Sequence, residues 1–448
     1  MNMRILTQIL VLVLMATVSV AQNPVQLSFK EAVQTAIKNN VRLNQEKNQL
    51  ELNQVQKSSS IGRLAPSVSS SFYAVRIDGN SFNQNEGKVE NGVRDNLYGS
   101  IDAQITVFNG FNRINAVTQS NASLEAQQYL VKRTEQDVIS LVSSQYLQVL
   151  LDNELLKISQ NNVELQKKQA DQIKTQVELG SKAEVDFISQ DAQVKSAELS
   201  MLRARVTLRN DKATLAQTML IDPQADFDLD DPSWNTNFTA ILDQNLDVLY
   251  SNALANRADY MSAIQNEKAA RLGVSMAKAG YYPSLAAFGS YGSAYNKLQG
   301  SMARPFPDQF FNDNTYFQYG LSLSIPIFNG LQNRVATVRS KVLHDNAVLN
   351  KASIENTVKS NVLRSHQNFQ DAILAYQSAE SQLKAAELSF QLEKERYDLG
   401  ITDLVQFTQS NQNYVKAQGD FAQAKYTIMF QKILLDYAIG TLRFDDLP

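Results

Sequence analysis

The 448-residue chain contains no cysteine and only two histidines, and its formal net charge is -3. The absence of cysteine excludes disulfides, thiolate metal sites, a cysteine nucleophile and a lipid attached through an N-terminal cysteine. We interpret His344 and His366 as ordinary helix residues, because both lie in a long polar helical stretch and a metal site needs a cluster of ligands. The small net charge gives no general attraction to nucleic acid. We therefore expect no metal, no cofactor and no nucleic-acid partner.

The sequence also lacks the motifs of common enzymes. It has no phosphate-binding loop and no nucleophile elbow, and two distant histidines do not supply a plausible catalytic triad. These absences predict that the chain is not an enzyme.

Long apolar runs are absent apart from one at the N-terminus, which covers residues 5–20. Arg4 precedes this run, and small residues at positions 19–21 suit signal peptidase, so residues 1–21 are predicted to be a signal peptide cleaved before Gln22. An uncleaved membrane anchor is the alternative, although the run is shorter than the roughly 18 residues of a membrane span. The mature chain is predicted to be exported.

Glycine and proline are scarce, with 17 and 9 residues, and 12 of the glycines fall within residues 62–110 or 280–330. Residues 111–179 and 331–399 contain neither, and apolar residues recur there at helical spacing. A helix of that length would span about 100 Å, whereas a compact globule of this chain length would be about 60 Å across. An elongated molecule is predicted.

Two stretches of the chain are nearly the same. ITVFNGFNRINAVTQS at 105–120 returns as IPIFNGLQNRVATVRS at 325–340, and the Leu-Gly pair at 179–180 returns at 399–400, again 220 positions later. This duplication predicts two structural repeats, residues 22–220 and 244–440, joined by a linker at 221–243 and followed by a tail at 441–448. The predicted helices are 27–62, 111–179 and 182–219 in the first repeat, and 244–280, 331–399 and 402–439 in the second.

For the aspartates of the linker, a solvated segment is favoured over a calcium site, because no spaced ligand loop is present.

The turns at the two Leu-Gly pairs carry helix-end signals. Gly180 suits a left-handed helix end, Ser181 is a candidate cap for the next helix, and Glu184 would complete a capping box. Gly400 with Thr402 or Asp403 repeats the arrangement, with Gln406 as a possible partner of Asp403. Both turns are predicted to be tips of helical hairpins.

Before each FNG motif the periodicity changes from helical to two. Alternating apolar and polar residues predict strands at 67–77, 97–108, 284–295 and 316–328, about the length that crosses an outer membrane, with polar loops at 79–96 and 296–315. A soluble sandwich is the alternative, but four strands provide no second sheet to cover the apolar face. At the junctions between strand and helix, Asn109 and Asn329 are candidate helix caps beside Gly110 and Gly330.

Four strands cannot close a barrel, and open edges are not tolerated in lipid, so the chain must oligomerise. Two copies would give eight strands with a filled interior, and three would give twelve strands with a lumen. The sequence thus predicts an α/β membrane protein, mostly α and internally duplicated.

The PIFNG and YDLG elements and their duplicated counterparts resemble the TolC family of outer-membrane efflux proteins over the whole mature chain. The resemblance implies a homotrimer whose 12-stranded transmembrane β-barrel, set in outer-membrane lipid, continues as a long periplasmic α-helical barrel. It also implies docking to a periplasmic adaptor and an inner-membrane transporter, in a tripartite efflux or type I secretion system that conducts substrate passively. The alternative is an exported coiled-coil or adhesin-like protein. Drug, metal and protein cargo all remain open.

The resemblance also implies site residues. The positions of an acidic constriction in relatives are Gln406 and Gln409 here, which predicts an uncharged ring, whereas Asp186 is the best acidic candidate at the entrance. Tyr397 matches a family tyrosine that helps to hold the entrance closed. The residues that correspond to the adaptor-docking tips are Leu179, Gly180, Ser181, Val185, Leu399, Gly400, Ile401, Leu404 and Val405.

Overall fold

The computed structural model describes residues 25–83, 87–223, 227–231, 245–300 and 302–447. The predicted signal peptide therefore lies outside the described residues. The described residues divide into two compact units, one from within residues 1–44, 134–253 and 360–448, and the other from within residues 45–133 and 254–359. Both units take segments from both predicted repeats.

Helices dominate the chain. Eight of them are α1 (Phe29–Asn39), α2 (Val41–Gly62), α3 (Asn112–Glu178), α4 (Glu184–Met219), α5 (Leu246–Asn256), α6 (Ala258–Lys278), α7 (Gln332–Asp398) and α8 (Leu404–Ile439). The helices α3 and α7 each have 67 residues and end within one residue of the predicted limits. No helix in the described part of the chain is long and apolar enough to cross a membrane.

The predictions of single helices over 27–62 and 244–280 are wrong, because each is broken once. Asn40 separates α1 from α2 with ψ 120°, and Arg257 separates α5 from α6 with ψ 118°. At the first break the Asn40 side chain accepts a hydrogen bond from the N–H of Leu43, 2.9 Å away. At the second, the Arg257 side chain is almost fully buried and donates from Nε to Asp259 Oδ1, 3.0 Å away. The two breaks are 217 positions apart, the same spacing as Pro66 and Pro283.

The four predicted strands form one antiparallel sheet, in which each strand pairs with the next of the four along the chain. The strands are β2 (Ser67–Asn83), β3 (Lys88–Asn109), β5 (Ser284–Leu298) and β6 (Tyr316–Ser324). The polar loop predicted at 79–96 is wrong, since Ser67–Asn83 pairs continuously with residues 88–104. The predicted end of the last strand at 328 is also wrong. The strand ends at Ser324, just before Pro326, which has no N–H for a strand ladder.

The two faces of the sheet differ as the alternation predicted. One face carries large apolar side chains that are mostly exposed in the single chain, including Val68, Phe72, Ile101, Phe317, Tyr319, Leu321 and Leu323. The other face carries serines, Gln104, Gln318 and the single aspartate Asp102. This unpartnered apolar face is the surface that a bilayer would cover.

The linker prediction also needs correction, because part of it is a buried strand. Strand β4 (Phe227–Leu229) pairs in parallel with β1 (Val25–Leu27), and the side chains of Phe227 and Leu229 are buried. The Tyr146 hydroxyl lies 2.9 Å from the Leu27 carbonyl oxygen and 2.7 Å from that of Asp230, and it donates to them. The segment after α4 is therefore fixed to the helices by backbone pairing and by a buried tyrosine.

Candidate functional site at the helical hairpin tips

The two hairpin tips have the same backbone geometry. Gly180 and Gly400 both have φ 73°, in the left-handed region that favours glycine. In the first tip the N–H of Ser181 donates to Gln176 O (2.9 Å), and in the second the N–H of Ile401 donates to Arg396 O (2.8 Å). These are the 6→1 bonds of a Schellman motif, which satisfies the last carbonyls of α3 and α7.

The helices that follow the tips begin differently from each other. The Asp403 side chain caps α8 by accepting from the N–H of Gln406 (2.9 Å), so this predicted cap is confirmed. The cap predicted at Ser181 is wrong, because α4 begins at Glu184 after Ala183 and has no side-chain cap. The Ser181 hydroxyl instead donates back to Gln176 O (2.9 Å), where it reinforces the end of α3.

Apolar side chains project from both tips into solvent. Their exposed fractions in the single chain range from 63 % to 78 % for Leu179, Val185, Leu399, Ile401 and Val405, whereas Leu404 is half-buried. Burial within the chain therefore does not explain these side chains. They form an apolar surface that a partner can cover.

A groove of about 730 Å³ lies between the two tips, lined among others by Lys182, Asp186 and Tyr397. Across this groove, Lys182 Nζ donates to the Tyr397 hydroxyl at 2.6 Å, and Nζ lies 4.6 Å from the centre of the tyrosine ring. The ring itself stacks on buried Phe407 at 5.1 Å between centroids. The tyrosine is thus held by packing from one side and by an ammonium group from the other.

The four predicted gate residues do not form one cluster. Asp186 and Tyr397 line the same groove, and the half-buried Asp186 carboxylate has no side-chain partner among the described residues. Gln406 and Gln409 are exposed on α8 outside the groove lining. The Gln406 side chain accepts from the Thr402 hydroxyl (2.5 Å), and Gln409 is bonded to a residue of its own helix.

Lys182 is the functional candidate that sequence reasoning missed. It lies two residues after Gly180, but its partner Tyr397 is 215 positions away, so only the proximity of the two tips reveals the pair. The groove lining also carries the carboxylates of Asp398 and Asp403. Within this lining the acidic side chains therefore outnumber the lysine.

The junctions between strand and helix show why the FNG motif is repeated. Gly110 and Gly330 have φ 65° and 62°, and the following residues, Phe111 and Leu331, both have φ 64°. The left-handed region is unfavourable for every residue except glycine, so two successive residues in this region are costly. Glycine at the first of the two positions removes half of this cost, which accounts for the glycine of the motif. Asn109 Oδ1 accepts from the N–H of Arg113 (3.4 Å), so this side chain bonds to the first turn of α3 from three residues before the helix. The corresponding contact at Asn329 comes from the backbone carbonyl, which accepts from the N–H of Gln332 (3.3 Å), and not from the predicted side-chain cap.

Two aspartates of the linker form ion pairs with lysines. Asp228 pairs with Lys212 (2.8 Å), and Asp231 pairs with Lys425 (3.1 Å). Asp226 lies outside the described residues. In the described ranges, no group of three or more acidic, histidine or cysteine side chains is arranged to hold a metal ion.

The sequence profile described as outer membrane efflux protein matches this chain twice, over residues 32–219 and 249–441. These matches cover most of the chain, and the chain belongs to the outer membrane efflux protein family. The double match also confirms the internal duplication.

Individual relatives agree with this assignment. The chain is 22% identical to the outer membrane protein TolC of Vibrio cholerae over 313 residues, which are 70% of each protein. It is 23% identical to the outer membrane protein TolC of Escherichia coli over 367 residues, which are 80% of this chain and 72% of that protein. Among solved structures, the outer membrane protein VceC of Vibrio cholerae matches with a TM-score of 0.78 at 14% identity, over 92% of this chain and 96% of that one.

The class of protein follows from these findings together. The chain is an outer-membrane efflux channel protein with the fold of the TolC-like channels, as the sequence predicted. Its place is the outer membrane, and its helical part belongs to the periplasm. The matched family and the similar structures are channels rather than enzymes.

Proposed function

We propose that three copies of the chain form a continuous tunnel through which substrate passes passively from an inner-membrane transporter to the exterior. The observation that carries this proposal is the four-stranded sheet with an exposed apolar face and two open edges. In the described part of the chain, β2 pairs only with β3, and β6 pairs only with β5. Unpaired backbone groups cannot remain in a bilayer, so the edges must pair with other copies.

Neighbouring copies join edge to edge in this arrangement. The strands alternate in direction across the sheet, so β6 of one copy and β2 of the next are antiparallel, and three copies give twelve strands. A ring of that size leaves a lumen, which the polar face lines. The apolar face then contacts lipid.

Helix surfaces support the same assembly. Val335, Val338, Val342 and Leu349 lie on one stripe of α7, and all are more than half exposed in the single chain. A stripe of this kind predicts a helical partner. In the proposed trimer the partner is a helix of the adjacent copy.

The tips form the periplasmic entrance and the adaptor-docking surface. The contact from Lys182 to Tyr397 joins the turn after α3 to the end of α7, so it ties the two hairpins of one copy together. Separating the hairpins breaks this hydrogen bond, whereas the stacking of Tyr397 on Phe407 lies within the second hairpin and is kept. We propose that this contact is a latch of the closed entrance and that Asp186, in the same groove, is the acidic group that meets the substrate first.

Adaptor binding then supplies the free energy of opening. The exposed apolar residues of the tips offer the adaptor a surface whose burial favours the bound state. An adaptor that contacts these residues only when the tips are apart would shift the equilibrium toward the open channel. The docking residues are Leu179, Gly180, Ser181, Val185, Leu399, Gly400, Ile401, Leu404 and Val405.

Cysteine crosslinking between copies tests the assembly directly, because the natural chain has no cysteine. Ser71→Cys in β2, combined in turn with Gln318→Cys, Gly320→Cys or Ser322→Cys in β6, should give disulfide-linked dimers and trimers in membranes for the pair that is in register. All four positions lie on the polar face, where adjacent strands bring Cβ atoms within disulfide reach.

The matched control places the first cysteine at Ser100, the partner of Ser71 in the interior strand β3. That cysteine should form no link between copies. Absence of linked species for every β2–β6 pair, together with extraction of the protein by salt instead of detergent, would support the exported coiled-coil alternative and contradict the proposal.

A further inference from the structure

The polar face of the sheet carries a row that is hydrophilic across all four strands. Asp102 is in the middle of this row in β3, opposite Ser69 of β2 and Ser290 of β5. Ser290 is in turn opposite Gln318 of β6. In the proposed trimer the row is repeated three times around the lumen.

The Asp102 carboxylate is held in place by two hydroxyl groups. Ser100 Oγ donates to Oδ2 (2.7 Å), and Ser290 Oγ donates to Oδ1 (2.6 Å). Ser71 Oγ lies 3.1 Å from Ser100 Oγ, so the network extends to the edge strand. Hydroxyl donors orient the carboxylate without neutralising its charge, because serine carries no charge.

No cation opposes this charge in the middle of the sheet. In residues 67–77, 97–108, 284–295 and 316–324, all of them described, the charged residues are Asp102 and Arg76. Arg76 lies on the opposite face and is bonded to Asp95 through Nε (2.6 Å) and a terminal nitrogen (2.9 Å). The nearest cation on the Asp102 face of β3 is Arg94, eight residues away or about 27 Å along the strand. Arg94 is itself 3.9 Å from Glu90.

We propose that Asp102 makes the lumen of the barrel selective for cations. This inference rests on the proposed trimer, in which three Asp102 carboxylates form a ring in the membrane-spanning part of the tunnel. A ring of fixed negative charge attracts cations and repels anions within a Debye length, which is about 10 Å at 0.1 M salt and about 3 Å at 1 M. Asp102 is thus a specificity-determining residue for permeating ions and for charged substrates.

Reversal potentials of the full chain in planar bilayers under a KCl gradient test the proposal. The wild type should prefer K⁺ over Cl⁻, and Asp102→Asn should lower the permeability ratio by about threefold or more near 0.1 M salt. The difference should shrink near 1 M salt. Asp102→Glu keeps the charge and should keep the preference, which separates an electrostatic role from a structural one.

Asp78→Asn is the matched control. Asp78 is an exposed residue of β2 on the face opposite Asp102, so removal of its charge should leave the permeability ratio unchanged. An unchanged ratio in Asp102→Asn overturns the inference, and so does loss of the preference in Asp186→Asn while Asp102→Asn retains it. Absence of current in both the wild type and Tyr397→Phe, in which the entrance should open, contradicts the proposed channel itself.

Discussion

Removal of the Tyr397 hydroxyl should open the entrance. Tyr397→Phe deletes the bond from Lys182 Nζ, which is 2.6 Å long, and keeps the ring that stacks on Phe407. Hydrogen bonds to charged groups contribute about 1.5–3 kcal/mol when buried, and partial exposure of both partners lowers this to about 1 kcal/mol for each copy.

Three latches that open together would contribute about 3 kcal/mol to the free-energy difference between the closed and open states. A change from 1:99 to 99:1 between closed and open states requires about 5.5 kcal/mol, so losing about 3 kcal/mol raises the open-to-closed ratio roughly a hundredfold. A channel that is about 1% open would then be open about half of the time. Tyr397→Phe should therefore open spontaneously without an adaptor and still close.

Single-channel recording in planar bilayers measures this open fraction. Lys182→Met removes the same bond from the other side and also the contact of Nζ with the tyrosine ring, so its open fraction should be at least that of Tyr397→Phe. The double variant should gain little over Lys182→Met alone, because the hydrogen bond is already absent.

Tyr376→Phe is the matched control, because Tyr376 is half-buried on the same helix α7 and 21 residues, or about 30 Å of helix, from Tyr397. It should leave the open fraction at the wild-type value. Open fractions in Tyr397→Phe and Lys182→Met that equal the wild type would refute the latch.

Two further predictions concern stability in detergent, measured by thermal unfolding. Burial raises the pKa of Asp152 to about 7, and the neighbouring Asp211 carboxyl adds to the rise as a hydrogen-bond partner. The folded state therefore holds this proton more tightly than the unfolded chain, so stability should fall by at most about 1.4 kcal/mol per unit between about pH 4 and 7. Asp152→Asn should remove that part of the pH dependence, and an equal fall in both proteins would be evidence against it. Gly400→Ala should destabilise the protein by about 1–2 kcal/mol, because φ 73° is unfavourable for alanine, whereas Gly419→Ala inside α8 should be neutral or stabilising. Similar effects of the two alanines would contradict this account of the tip.

Local signals in the sequence located the longest elements and the tips. The long helices are visible because 69 residues without glycine or proline are bounded by FNG and LG, and both boundaries require left-handed residues that the structure contains. The cap at Asp403 was also predictable from local sequence, because the N–H that it accepts from belongs to Gln406, three residues later. Alternating polarity likewise located the four strands and assigned their faces.

What the sequence did not show depends on contacts between distant residues. The helix break at Arg257 accompanies an ion pair between the buried Arg257 and the half-buried Asp259, and no glycine or proline marks it. Strand β4 has only three residues, and its parallel partner β1 is 202 positions earlier (227 − 25), so no local pattern indicates it. Lys182 was also missed because its partner, Tyr397, lies on another helix 215 positions away.

The paired helix breaks at Asn40 and Arg257 have a consequence for tracing the origin of the two halves. The Asn40 side chain accepts a backbone hydrogen bond, whereas the buried Arg257 side chain donates to a carboxylate. Despite this difference, the ψ angles of the two residues are 120° and 118°. Alignment of backbone torsion angles would match position 40 with 257 where amino-acid identity does not. At this position the correspondence of the two repeats is therefore preserved in the backbone torsion angles and not in the amino acids.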